Sequence, residues 1–247
     1  MSTTVIIGAT SAMAEHAARC FAADGEHLVL TARDENKLNQ VAGDLRIRGA
    51  SQVDVLPTFD AIAPQGMDAL LEEIRRSPLQ YDRVLIAHGS LPDQGECEKN
   101  EEAMHQALEV NFSSTIRLCT LLANKLSEQE AGMLAVISSV AGLRGRQSNY
   151  VYGAAKGGLN IFLQGLRNRL FEKGVRVVTI LPGFVDTPMT QEIEKGPLFV
   201  SAETAGTCIH KAMTKSSADV VYVPFFWRYI LWVIRAIPES LFKRLKL

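Results

Sequence analysis

Tyr152 and Lys156 stand four residues apart in Tyr150-Val151-Tyr152-Gly153-Ala154-Ala155-Lys156, with Ser139 thirteen residues upstream. On a helix, residues four apart share one face with their Cβ atoms about 5–6 Å apart, so the ammonium can lie beneath the phenol. A free phenol titrates at about pH 10 and carries protons poorly at neutrality, whereas an adjacent cation favours the phenolate and lowers that value. Ser139 could hold the oxygen on which the proton lands. The chemistry on offer is proton transfer to or from an oxygen. Taken alone the spacing is weak, because a surface helix with a lysine produces it by chance, and the rest of the chain has to supply a cofactor.

Short β-branched apolar runs recur at residues 5–7, 28–31, 53–56, 84–87, 134–138, 175–181 and 220–223, with helical patterns between them. Seven strands alternating with helices predict an α/β protein whose parallel sheet is built from βαβ units. The runs are continuous rather than alternating, as in strands buried on both faces. The expected architecture is a single-domain Rossmann fold over residues 1–223, a doubly wound seven-stranded parallel sheet with helices on both faces, followed by a tail over 224–247. No repeat or Pro/Gly-rich linker divides the chain, and the polar stretch 93–102 reads as a plain connection.

The composition bounds the function from another side. With 47% hydrophobic and 21% charged residues and a net charge of −1, nothing suggests a nucleic-acid partner. Cys20, Cys97, Cys119 and Cys208 are widely spaced, with no CxxC and no histidine at ligand spacing, so neither a metal site nor a disulfide framework is expected. The chain enters its first strand without a basic region and an apolar stretch of about 7–15 residues, so no signal peptide is expected and the cytoplasm is the expected location.

The first strand leads into Gly8-Ala9-Thr10-Ser11-Ala12-Met13-Ala14, and a helix is predicted from Glu15 to Ala23. A glycine turn between a first strand and a helix points backbone N–H groups and the positive helix end at a pyrophosphate. Only Gly8 survives as glycine here; Ala12 and Ala14 occupy the later positions of such a loop. The second strand ends in Thr31-Ala32-Arg33-Asp34. An acid at that tip would bind a ribose 2′-hydroxyl and an arginine a 2′-phosphate, so Ala32 with Arg33 favours NADP(H), with NAD(H) the alternative that Asp34 keeps open. Asp60, just beyond the third strand, could accept from an adenine amino group or cap a turn.

With these parts in order the chain resembles the short-chain dehydrogenase/reductase family from residue 5 to about 223. That resemblance implies a catalytic set of Ser139, Tyr152, Lys156 and Asn111, the last lying in Glu109-Val110-Asn111-Phe112. It implies a cofactor site formed by Gly8, Thr10, Ser11, Ala12, Met13, Arg33, Asp60, Ala87, His88, Gly89, Tyr152, Lys156, Pro182, Gly183, Val185 and Thr187. Two departures mark this chain: the alanines of the loop, and Ala87-His88-Gly89-Ser90 where the family usually shows Asn-Asn/Ala-Ala-Gly. His88 is expected to replace an asparagine that contacts cofactor or sheet. The Gly-Ala-Thr-Ser loop is similar to that of a branch that reduces keto-sugars carried on polyprenyl phosphate. The implied activity is hydride transfer between NADP(H) and a carbonyl or secondary alcohol, small or lipid-linked, in a homodimer or homotetramer. A nucleotide-binding sensor or scaffold without catalysis is the alternative. Arg144 and Arg146, a few residues past Ser139, are candidates to meet an anionic substrate.

The tail gathers both tryptophans, Trp227 and Trp232, with Arg228, Arg235, Lys243, Arg244 and Lys246. Its apolar run is too short and too often interrupted by arginine to span a bilayer. Aromatics mixed with cations suit a peripheral position at a membrane interface, packing over the substrate cleft or a neighbouring subunit suits them slightly better, and both can hold in a helix beside a lipid-facing cleft.

Overall fold

The computed structural model describes residues 2–245, so Met1, Lys246 and Leu247 lie outside the described residues. Seven strands form one sheet: β1 (Thr3–Ile7), β2 (His27–Thr31), β3 (Gln52–Val55), β4 (Arg83–Ile86), β5 (Met133–Ile137), β6 (Arg176–Pro182) and β9 (Val220–Val223). Their order is β3-β2-β1-β4-β5-β6-β9, with every pair parallel. Two further strands, β7 (Val185–Asp186) and β8 (Val200–Ser201), pair with each other beyond the end of β6. The chain winds outward from β1 in one direction and from β4 in the other, so the crevice between β1 and β4 is the switch point of the sheet.

The helices are α1 (Ala12–Ala23), α2 (Glu35–Ile47), α3 (Pro64–Arg76), α4 (Gln94–Lys99), α5 (Glu101–Leu108), α6 (Ser114–Gln129), α7 (Tyr150–Leu170), α8 (Ala202–Thr214), α9 (Trp227–Ala236) and α10 (Glu239–Phe242). Alternation along the strands splits the core. Ile6, Leu28, Leu30 and Leu85 pack with Ala14, Phe21 and Leu38 of α1 and α2 on one face. Val5, Ile7, Val29 and Ile86 pack with Leu70, Leu118, Leu122 and Leu163 of α3, α6 and α7 on the other. Each such side chain contributes roughly 1.5–3 kcal/mol by leaving water.

Three local differences from the sequence expectations have physical causes. Helix α1 begins at Ala12, because Ser11 is extended and the alanines of the loop enter the first turn. Residues 93–102 are not a plain connection: the Asp93 carboxylate accepts from Glu96 N–H and starts α4, and Asn100 accepts from Glu102 and Ala103 N–H and starts α5. A π-helical turn, Glu109–Ser113, then joins α5 to α6. Among the described residues no helix is long and apolar enough to cross a membrane.

Candidate active site

At the switch point a cleft of about 680 Å³ runs along the carboxyl ends of β1, β2 and β4. Gly8 forms its floor with φ of +83°, a left-handed conformation that glycine adopts without penalty. A side chain there would also strike His88, whose backbone N lies 2.6 Å from the position of the missing Cβ. Gly8 and Ala9 N–H both donate to the Thr31 carbonyl, fixing the turn onto the tip of β2. Ser11 leaves its hydroxyl out of the capping of α1, so the first turn of that helix keeps donors directed at the cleft. Thr10, Ser11, Ala12 and Met13 line the cleft beside Arg33, Asp60, Ala87, His88, Gly89 and Thr187.

Asp34 is engaged elsewhere: its carboxylate accepts from Lys37 N–H at 3.0 Å and caps α2. The same turn brings Lys37 into the cleft wall next to Arg33, a second cation that the sequence analysis did not single out. The signal was present, since Lys37 follows Arg33 by one helical turn. Asp60 lines the cleft, and its carboxylate accepts from Ile62 N–H at 3.1 Å, which caps a turn.

A smaller cavity, about 130 Å³, opens beside the cleft and shares Ser11, Met13, His88 and Gly89 with it. Ser139, Tyr152, Lys156 and Asn111 all line this cavity. Ser139 follows β5 in extended conformation, its Oγ accepting from Ala141 N–H at 3.1 Å. Tyr152 and Lys156 rise from the first turns of α7 on one face, with the Lys156 Nζ 5.8 Å from the Tyr152 ring centre. Lys156 is 3% exposed and donates to the Ile137 carbonyl at 3.4 Å. Asn111, fully buried on the π-helical turn, accepts from Ser90 N–H at 3.2 Å and donates to the Ala107 carbonyl at 3.0 Å. Gly89 keeps the space between them: a Cβ there would lie 3.1 Å from Asn111 Oδ1 and 3.5 Å from Lys156 Nζ.

The electrostatics differ from the simple expectation that Lys156 lowers the Tyr152 phenol. Burial dominates and raises Tyr152, with the neighbouring Ser139 hydroxyl acting in the opposite direction. Burial also lowers the Lys156 ammonium to about 8. His88 is held neutral, lowered to about 3 by burial and by the charge of Lys156. Its Nε2 lies 3.0 Å from Ser114 Oγ and 3.2 Å from Thr115 Oγ1, and Ser114 in turn donates to the Val110 carbonyl. A neutral imidazole committed to α6 pins the end of the π-helical turn that carries Asn111.

The far wall is made by the strand ends and the tail. Pro182, Gly183, Val185 and Thr187 line the cavity with Phe184, Met189 and Ile193. Trp227, the first residue of α9, closes it; the residue is 5% exposed and packs edge-on against Phe184 with ring centres 5.3 Å apart. Leu231 sits beside Trp227 in an apolar cluster with Val140 and Leu181. The tail thus packs over the cavity, one of the two places its sequence allows, although nothing in local spacing singles out Trp227 as the residue that does so.

Arg144 and Arg146 separate. Arg144 bonds the Glu239 carboxylate at 2.7 Å and the Ile237 carbonyl at 3.2 Å, and its guanidinium lies 4.1 Å from the Phe242 ring centre. It fastens the tail and does not line the cavity. Arg146 does line it.

Comparison with known proteins fits this geometry. A family model described as short chain dehydrogenase matches residues 2–197. An uncharacterized oxidoreductase of Streptomyces coelicolor is 33% identical over 242 residues, covering 98% of this chain and 94% of the relative. An uncharacterized oxidoreductase of Mycobacterium tuberculosis is 32% identical over 241 residues, covering 98% and 96%. Among solved structures, a short-chain dehydrogenase from Sphingobium yanoikuyae in complex with NADPH superposes with a TM-score of 0.83 at 22% identity, covering 97% of this chain and 98% of that one. One from Burkholderia cenocepacia in complex with NADP gives a TM-score of 0.83 at 18% identity, covering 100% and 98%. At such identities these two structures speak for the fold.

Proposed function

This chain belongs to the short-chain dehydrogenase family, and from that premise we propose that it is an NADP(H)-dependent oxidoreductase acting on a carbonyl or secondary alcohol, in a substrate that is largely apolar or lipid-linked. One observation carries the proposal: Ser139, Tyr152, Lys156 and Asn111 converge where a nucleotide-shaped cleft meets a small apolar cavity. A sensor or scaffold has no physical need of all four.

The cleft fits a dinucleotide. Gly8, Thr10, Ser11, Ala12 and Met13 would hold the pyrophosphate, Arg33 and Lys37 a 2′-phosphate, Asp60 the adenine, and Ala87, His88 and Gly89 the middle of the molecule. Pro182, Gly183, Val185 and Thr187 would hold the nicotinamide. When bound, the nicotinamide supplies or accepts the hydride. Tyr152 passes the proton to or from the substrate oxygen, and Ser139 donates a hydrogen bond to that oxygen, where charge develops. Lys156, cationic below about pH 8 and 5.8 Å from the Tyr152 ring centre, would work against the desolvation that raises the phenol, and Asn111 would hold a water connecting Lys156 to solvent.

Preference for NADP(H) is supported by the paired cations Arg33 and Lys37, by the diversion of Asp34 into capping, and by the NADPH and NADP carried by the two solved neighbours. The double variant Arg33→Ala/Lys37→Ala should raise the KM for NADPH by about 10- to 100-fold, the usual loss for charge-assisted bonds, and leave that for NADH within about threefold. Steady-state NAD(P)H oxidation with a panel of ketones measures both. An equal effect on the two cofactors would remove the assignment.

The same proposal extends to location. Helix α9 turns Trp227 and Leu231 inward and leaves Phe225, Tyr229, Trp232 and Val233 exposed at the surface, Trp232 by 73%. Arg228 and Arg235 flank this outer face, which suits peripheral attachment to an anionic membrane. Wild-type protein should sediment with phosphatidylglycerol vesicles more than with phosphatidylcholine vesicles, and Trp232→Ser/Arg235→Glu should lose most of that binding. Equal sedimentation of wild type and variant would end the membrane assignment. The protein is further proposed to act as a homodimer or homotetramer, as the family habit implies.

A further inference from the structure

The cavity wall contains no aspartate or glutamate, and its cations are Lys156 and Arg146. Lys156 belongs to the proton relay. Arg146 belongs to nothing else: its guanidinium has no ion-pair or hydrogen-bond partner among the described residues, although the side chain is partly buried. Burial alone acts on it, lowering its pKa. A half-buried cation without a counter-charge is costly, and folded proteins ordinarily pair it. Arg144, two residues away, shows such pairing with Glu239, the Ile237 carbonyl and Phe242.

Asn149 is the second unsettled group in the same wall. It precedes Tyr150 at the start of α7, and asparagine is among the residues best suited to cap a helix. Its side chain makes no capping bond. The Oδ1 is instead buried with no partner, and the residue lines the cavity with Arg146. The start of α7, a helix of 21 residues, adds its positive end to the same neighbourhood. An orphan cation, an orphan amide and a helix terminus therefore belong to one cavity, whose wall also includes Val140, Phe184 and Trp227.

We propose that Arg146 and Asn149 form an anion-reading subsite, which selects a carbonyl or alcohol substrate carrying a phosphate or carboxylate with a hydroxyl beside it. The guanidinium takes the anionic oxygens and the Asn149 amide oxygen accepts from the hydroxyl. The apolar remainder of the substrate lies against Phe184 and Trp227. The subsite deepens the oxidoreductase assignment and rests on it, because it concerns the molecule presented to Tyr152.

The experiment uses the full chain saturated with NADPH, so that Arg33 and Lys37 no longer compete for anions, and titrates phenyl phosphate, phenylacetate, mandelate and benzyl alcohol by calorimetry. Phenyl phosphate or phenylacetate should bind wild type at least about tenfold more tightly than Arg146→Ala, with benzyl alcohol equal on both proteins. Arg146→Lys should recover part of the loss. Mandelate should bind more tightly than phenylacetate, an advantage that Asn149→Ala abolishes. The stronger of phenyl phosphate and phenylacetate identifies phosphate or carboxylate as the group read. Unchanged NADPH affinity in Arg146→Ala shows that the variant is folded. Anions that bind wild type and Arg146→Ala equally, or no better than benzyl alcohol, overturn the subsite, and a mandelate advantage that survives Asn149→Ala removes that residue from it. Failure of wild type to bind NADPH would instead overturn the cofactor assignment.

Discussion

Replacing Tyr152 by phenylalanine should lower kcat by about 10³-fold, in the range typical of losing a general acid or base, while the dissociation constant for NADPH stays within a few-fold. Phenylalanine keeps the ring that fills the space above Lys156 and removes only the oxygen beside Ser139. Lys156 retains its bond to the Ile137 carbonyl and Asn111 its bonds to Ser90 and Ala107, and Tyr152 is not part of the wall of the larger cleft. Single-turnover oxidation of bound NADPH separates the chemical step from binding. A variant that kept a tenth or more of wild-type turnover would show that another group moves the proton.

The second large effect comes from a glycine. A Cβ on Gly183 would lie 1.9 Å from Trp227 Nε1, 2.0 Å from Cε2 and 2.5 Å from Cδ1. The indole cannot yield by bending, and β6, which ends at Pro182 just before Gly183, is held between β5 and β9. Gly183→Ala should therefore expel Trp227 from its place against Phe184 and withdraw α9 from Val140 and Leu181. Loss of one large buried aromatic costs about 3–5 kcal/mol in comparable core truncations. The expected result is a clear drop in Tm, a red-shifted tryptophan emission and faster proteolysis within residues 225–240. An unchanged melting curve and emission spectrum would mean that the tail is not held by this contact. Gly183 thus serves two purposes, since its lack of a side chain also brings backbone close to the expected position of the nicotinamide.

The sheet was legible from sequence because each strand is buried by helices on both faces and announces itself as an unbroken apolar run. The start of α1 was misplaced by three residues because Ala12 and Ala14 were aligned with loop glycines, although alanine prefers a helix. Helix α4 was hidden in a polar stretch; its stability depends on the Asp93 cap and on burying Cys97 beside Ala107 and Val151, contacts distant in sequence. Arg144 and Arg146 look alike in sequence, and only the return of Glu239 across 95 residues distinguishes a tether from a cavity residue. The spacing predicts the Tyr152 and Lys156 pair, but spacing carries no dielectric: desolvation outweighs the Ser139 hydroxyl and raises the phenol, opposite to the expectation. Lys37 follows Arg33 by four residues, and it reaches the cleft wall because Asp34 caps α2 and so sets where that helix starts.

Trp227 lies thirty residues beyond the stretch 2–197 that the family model matches, while the cleft with Arg33 and Lys37 and the set of Ser139, Tyr152, Lys156 and Asn111 lie inside it. During synthesis the nucleotide cleft can therefore assemble before the wall of the substrate cavity has left the ribosome. In a nascent chain the cavity would already hold Arg146 and Asn149 but lack the aromatic wall that Trp227 supplies. The same separation means that exchanging the segment from 224 onward between relatives would re-cut one wall of the cavity without altering Ser139, Tyr152, Lys156 or Asn111.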